Sequence, residues 1–98
     1  MNYQIIIRPE AEAEISESYA WYEERLAGLG SDFILCIDAI FNSISRSPNQ
    51  YPVVYKSVRR AITRRFPFEV FYLINERMVV IIAVFHAKRN PKRWQERA

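Results

Sequence analysis

SVRRAITRRFPFEVFYLINERMVVIIAVFHA, residues 57–87, decides the fold. Residues 57–66 alternate between basic or polar and apolar side chains, the period-two pattern of a strand with one buried face. Pro67 falls in or beside a turn, because proline has no N–H to give to a ladder. Residues 68–74 (FEVFYLI) form a second β-rich run, and NER (residues 75–77) supplies a hairpin turn. Residues 78–87 are apolar on both faces, as a central strand requires.

Working outward, NYQIIIR (residues 2–8) is a short β-branched run that predicts a further strand. Pro9 then stands where a first helical turn begins, with Glu10 and Glu12 placed to complement the positive end of the helix dipole. Ile15, Tyr19, Tyr22 and Leu26 follow at helical spacing, and six glutamates (Glu10, Glu12, Glu14, Glu17, Glu23, Glu24) read as the solvated face. Trp21, beside that stripe, is expected to pack under the sheet. AGLG ends the helix, with Gly28 available as a left-handed cap. Ser31 and Asp32 open a second helix, whose stripe is Phe33, Ile37, Ile40 and Ile44, widened by Ile34 and Phe41. Pro48 and Pro52 stop it. The expected fold is α+β, in the order β-α-α-β-β-β: a helical hairpin covered by an antiparallel sheet, one domain over residues 1–98.

Composition narrows the function. Half of the 98 residues are apolar and 14% are aromatic, enough to fill one core without staples. The single cysteine, Cys36, excludes an internal disulfide, and without a second cysteine or histidine nearby a zinc site is not expected. No metal or other cofactor is expected. The longest apolar run is too short to span a bilayer and the N-terminus carries no secretory pattern, so the expectation is a cytoplasmic protein without a membrane partner. The net charge of +3 conceals an asymmetry. Residues 1–45 carry two basic and eight acidic side chains, residues 46–98 twelve basic and three acidic. The second half presents a field that attracts nucleic acid or an acidic protein.

Taken together, the order of elements, the opening RPEAEAEI, and RRFPFEVFYLI leading into VVIIAVFHAKRNPKRW resemble the RelE/ParE superfamily of bacterial type II toxins, over nearly the whole chain. The resemblance implies a plasmid-stabilisation type of module, in which a small antitoxin wraps the toxin in a hetero-oligomer and silences it. It also implies one of two targets. RelE-like members cut mRNA on the ribosome; ParE-like members act on DNA gyrase and cut nothing.

Chemistry separates the two. RNA cleavage requires a base, a fixed cation and an acid. Ribonucleolytic relatives carry an arginine early in the strand matching FEVFYLI, where this chain has Glu69, and often a tyrosine after the last strand, where His86 is followed by Ala87. The ParE-like branch, acting on gyrase, is therefore favoured. Its expected partner- and target-binding surface is Arg59, Arg60, Arg64 and Arg65 on the first hairpin strand, with Lys88, Arg89 and Trp94 after the last. In the nuclease alternative the catalytic residues are His86, Arg65 and Glu69. A third reading is an inactive relative that works only in an autoregulatory antitoxin complex. Trp94 is expected either to fold back as an apolar clasp or to meet a partner, and Cys36 to be a small core hydrophobe.

Overall fold

The computed structural model describes residues 2–87 and 92–98. Strand β1 is Gln4–Ile7, and α1 follows as Pro9–Arg25, with Pro9 in its first turn and Glu10 and Glu12 beside it. Helix α2 is Leu29–Arg46. A 3₁₀ turn at Pro48–Gln50 leads to β2 (Val53–Tyr55), β3 (Val58–Ile62), β4 (Phe68–Asn75) and β5 (Met78–His86), and α3 is Lys92–Gln95.

Helix α2 begins before Ser31 and Asp32, the residues expected to open it. Its cap comes from the preceding helix instead. The two carboxylate oxygens of Glu23 accept the N–H groups of Gly28 and Gly30, each at 2.9 Å. Gly28, at φ 90°, makes the left-handed bend between the helices. Gly30 is where they touch, since a Cβ there would lie 2.8 Å from the Tyr19 carbonyl oxygen.

The sheet order is β1-β5-β4-β3-β2. Pairs β2–β3, β3–β4 and β4–β5 are antiparallel, as expected, whereas β1 joins β5 in parallel, Ile5 beside Val79. The helical hairpin returns the chain to β2 antiparallel to β1, and the three antiparallel steps from β2 to β5 restore the direction of β1. Strand β2, absent from the expected order, follows Pro52 in the stretch PVVYK and ends at Tyr55, before Lys56 turns the chain at φ 50°. The expected strand over residues 57–66 contracts to β3. Beyond it the Thr63 hydroxyl donates to the Phe66 carbonyl and accepts the Phe68 N–H at 3.2 Å, tying a loop that throws Phe66 into the core.

Two apolar clusters lie on the two faces of the sheet. The helix side holds Phe33, Ile37, Phe41 and Ile44 of α2, Ala11 of α1, and Phe66, Phe68, Val70, Tyr72, Ile81 and Val84. The far side holds Val58, Phe71, Ile82, Ala83, Phe85 and Trp94. A bulge puts Ile82 and Ala83 on one face, because Phe71 pairs with Ala83 but Tyr72 with Ile81. The stripe expected on α1 is rotated: Ala11 is fully buried, while Tyr19 and Leu26 are 38% and 64% exposed. Leu26 stands past the last helical turn, where helical spacing no longer applies. Trp21, expected under the sheet, is instead half exposed, with the Arg25 guanidinium 3.6 Å over its ring.

Candidate partner-binding surface

The arginines of the first hairpin strand do not form one stripe. Neighbours on a strand point to opposite faces, and Arg59 and Arg60 obey that rule. Arg59 donates to the Tyr51 carbonyl at 2.6 Å and to the Asn49 carbonyl at 3.2 Å, bracing the chain before β2. Arg60 pairs with Glu69 at 3.2 Å, and its Nε is buried with no partner among the described residues. In the loop after β3, Arg65 makes an exposed ion pair with Asp32 at 3.3 Å. Arg64, in the same loop, is exposed and makes no ion pair among the described residues. Lys88 and Arg89 lie outside the described residues.

Glu69 and His86 are also divided by the sheet. Phe68 pairs with His86, and Glu69 with Phe85. His86 therefore shares the helix side, its ring edge-on to Phe68 at 5.6 Å, whereas Glu69 shares the face of Phe85. His86 lines a cleft of about 40 Å³ with Glu14, Glu17, Ser18 and Phe68, room for about one water molecule. The ion pair of Arg65 is with Asp32 on α2.

Trp94, one of the expected contact residues, is the apolar clasp. It is 6% exposed, stacked on Phe71 with ring centroids 4.0 Å apart and edge-on to Tyr55 at 5.8 Å. Behind it, Arg97 completes the closure. Its Nη1 and Nη2 donate to the two Glu14 oxygens at 3.1 and 2.9 Å, and Nη1 also donates to the Ile82 carbonyl at 3.0 Å. The same Glu14 carboxylate accepts the Val84 N–H at 3.0 Å. Glu14 was expected on the solvated face. The signal against that lay in its place next to Ala11 and Ile15, the residues of α1 that turn inward.

A second, wider concavity lies at the other edge of the sheet. A groove of about 490 Å³ runs between α2 (Cys36, Ala39, Ile40, Ser43) and the end of β3 (Ile62, Thr63), with Tyr51, Arg64 and Arg65 at its rim. Ile62, unremarked in the sequence, is 53% exposed there. Cys36 is half-buried in its wall, packed against the margin of the helix-side core. Tyr72 lies beneath, donating to the Pro48 carbonyl at 2.5 Å. Burial pushes its phenol up to about 12, against the lowering effect of Arg59. Among the described residues no cluster of histidine, cysteine, aspartate or glutamate is arranged to hold a metal ion, and no helix is long and apolar enough to cross a membrane.

The sequence model of the family described as "ParE toxin of type II toxin-antitoxin system, parDE" matches residues 5–91. Toxin ParE2 of Mycobacterium tuberculosis, in strains CDC 1551 / Oshkosh and H37Rv, is 24% identical over 92 residues, covering 93% of this chain and 88% of the relative. Among solved structures, the chromosomal ParDE system from P. aeruginosa superposes with a TM-score of 0.78 at 16% identity, over 88% of this chain and 97% of the other. A chain of the RelBE2 toxin–antitoxin complex from Mycobacterium tuberculosis does so with a TM-score of 0.59 at 18% identity, over 88% and 99%. With the family matched over most of its length and the same helical hairpin on a five-stranded sheet, this chain belongs to the ParE toxin family of type II toxin–antitoxin systems, within the RelE/ParE superfamily.

Proposed function

We propose that the chain is a toxin held silent by a cognate antitoxin in a cytoplasmic hetero-oligomer, and that its target is DNA gyrase, which it engages by binding and not by cutting RNA. The observation that supports this reading is the separation of Glu69 from His86. A ribonuclease needs its base, cation and acid around one phosphate. Here the two groups best suited to proton transfer belong to opposite faces of the sheet, and Glu69 is committed to Arg60. Among the described residues, the cleft beside His86 is too small for a nucleotide. The antitoxin partner draws support from the solved relatives, a ParDE system and a RelBE2 toxin–antitoxin complex.

The test is induced expression in bacterial cells. Growth arrest with a DNA-damage response and intact transcripts is expected. Transcripts cut within codons, with that cutting abolished in His86→Ala or Arg65→Ala, would establish the nuclease reading instead.

A further inference from the structure

We propose that two copies of this chain pair through the outer edge of β1, antiparallel and about a two-fold axis at Ile6, joining two five-stranded sheets into one. The contact lies at the edge of the sheet opposite β2 and is independent of what the toxin acts on.

Hydrogen-bond parity carries the argument. Strand β1 ends the order β1-β5-β4-β3-β2, so one side of it has no strand. The N–H groups of Gln4 and Arg8 donate inward to the Arg77 and Ile81 carbonyls, each at 3.0 Å. Residues alternate along a ladder, so Ile6 also faces β5, while Tyr3, Ile5 and Ile7 turn their N–H and C=O groups outward. For Tyr3 this is seen directly. Its N–H donates to the Ser45 carbonyl at 2.9 Å, and its carbonyl accepts from the Ser45 hydroxyl at 2.6 Å. Helix α2 thereby closes that end. The outward groups of Ile5 and Ile7 have no partner among the described residues.

An edge of this kind is usually blunted by a charge, a proline, a bulge or a covering loop. Residues 5–7 are consecutive isoleucines and carry no charge or proline. Ile5 and Ile7 pack against the helix-side core, and Ile6, between them, points to the far face and is 38% exposed.

The strand is its own complement. With Ile6 set opposite Ile6 of a second copy, Ile5 exchanges both backbone bonds with Ile7 of the other copy, and Ile7 does the same with its Ile5. Every outward group of the two residues is then used, and the two exposed Ile6 side chains cover each other. Slipping the register by two residues sets Ile7 against the Tyr3 already held by Ser45, or Ile5 against Pro9, which has no N–H. Charge agrees with the centred register. Gln4 of each copy falls opposite Arg8 of the other, so like charges do not face across the pair. Glu10, at the acidic start of α1, is carried toward the end where Arg77 of the other copy stands 5.5 Å over the Tyr3 ring. The contact is small, and a dissociation constant of about 100 µM is expected.

The test is sedimentation of the purified full chain from about 10 µM to about 1 mM, with amide hydrogen exchange at both ends of that range. Dimer should form across it, and exchange at Ile5 and Ile7 should slow about fourfold, while Gln4 and Ile6, which face β5, stay unchanged. Ile6→Lys sets like charges face to face on the axis and should weaken pairing at least about tenfold. Cross-linking reads the register. In a Cys36→Ser background, Ile6→Cys should give a covalent dimer with oxidised glutathione, because the Cα atoms of such a facing pair lie about 4.5 Å apart, within disulfide reach. Gln4→Cys should not, since the two copies of that residue lie roughly 14 Å apart along the strands. A monomer at about 1 mM, cross-linking of Gln4→Cys as fast as of Ile6→Cys, or undiminished pairing of Ile6→Lys would each overturn the proposal.

Discussion

Glu14 and Arg97, 83 residues apart, form a two-pronged ion pair at the one stretch of β5 that β1 leaves uncovered. Strand β1 pairs with β5 only as far as Ile81. Past that point the outward Val84 N–H goes to Glu14 and the Ile82 carbonyl goes to Arg97, so two side chains stand in for a strand. The Arg97 carbonyl in turn accepts from Arg8 at 3.1 Å, which ties the C-terminal segment to the start of α1.

Removing one member of this pair strands the others. With side chains only 17% and 13% exposed, the pair is screened little by solvent. Glu14→Ala is expected to destabilise the chain by about 2 kcal/mol, seen as a fall in Tm of about 10 °C. Glu14→Gln keeps the acceptor for Val84 and should lose less. A double-mutant cycle with Arg97→Ala measures the coupling, and additivity of the two losses would contradict the linkage drawn here.

Trp94 and Trp21 should report separately. Trp94 lies against Phe71 and Tyr55, whereas Trp21 is half exposed. Trp94→Ala is expected to cost about 3 kcal/mol, while Trp21→Ala should cost less than about 0.5 kcal/mol, as surface changes do. Trp21→Phe should leave the blue-shifted emission of a buried indole.

The two glycines should fail for different reasons. Gly30→Ala drives a methyl group against the Tyr19 carbonyl and the Glu23 carboxylate, and should cost about 2 kcal/mol. Gly28→Ala meets no neighbour and suffers only from φ 90°, so about 1 kcal/mol is expected. Chemical denaturation of both variants decides it; equal losses would argue against a close helix crossing at Gly30.

Alkaline stability should trace to Tyr72. Its folded pKa of about 12 lies above the ordinary value of 10.0, so the unfolded chain gives up this proton first. The stabilisation is complete below pH 10 and is lost as pH climbs toward 12, by roughly 2 kcal/mol. Tyr72→Phe should be less stable at neutral pH, having lost the bond to Pro48, and its stability should fall less steeply above pH 10. Parallel curves for the two proteins would contradict this assignment.

The helical hairpin and the three strands after it were legible because each rests on local periodicity. Phe33, Ile37 and Ile44 recur at helical spacing, and FEVFYLI and MVVIIAVFH are continuous β-rich runs. What escaped the sequence depends on distant partners. The cap of α2 comes from Glu23 on the previous helix, not from Ser31. The parallel seat of β1 follows from the number of antiparallel turns between the helical hairpin and β5. Glu14 looks like any other glutamate of α1 until Arg97 arrives from the far end of the chain. The candidate surface was legible as a charge and not as a shape: the arginines were found, but alternation and the Thr63 loop send them to different sides, and Ile62 was not among the expected residues. The groove exists because β2 begins at Val53, opposite Arg59, and leaves Ile62 uncovered, a matter of register that composition does not carry.

The most direct measurement of the central claim is gyrase-catalysed supercoiling of relaxed plasmid with the purified chain added, beside a His86→Ala, Arg89→Ala variant. The account predicts loss of supercoiling or trapping of cleaved plasmid, with the variant weaker. Unimpaired supercoiling at large molar excess, together with cutting of ribosome-bound mRNA by the same preparation, would contradict it.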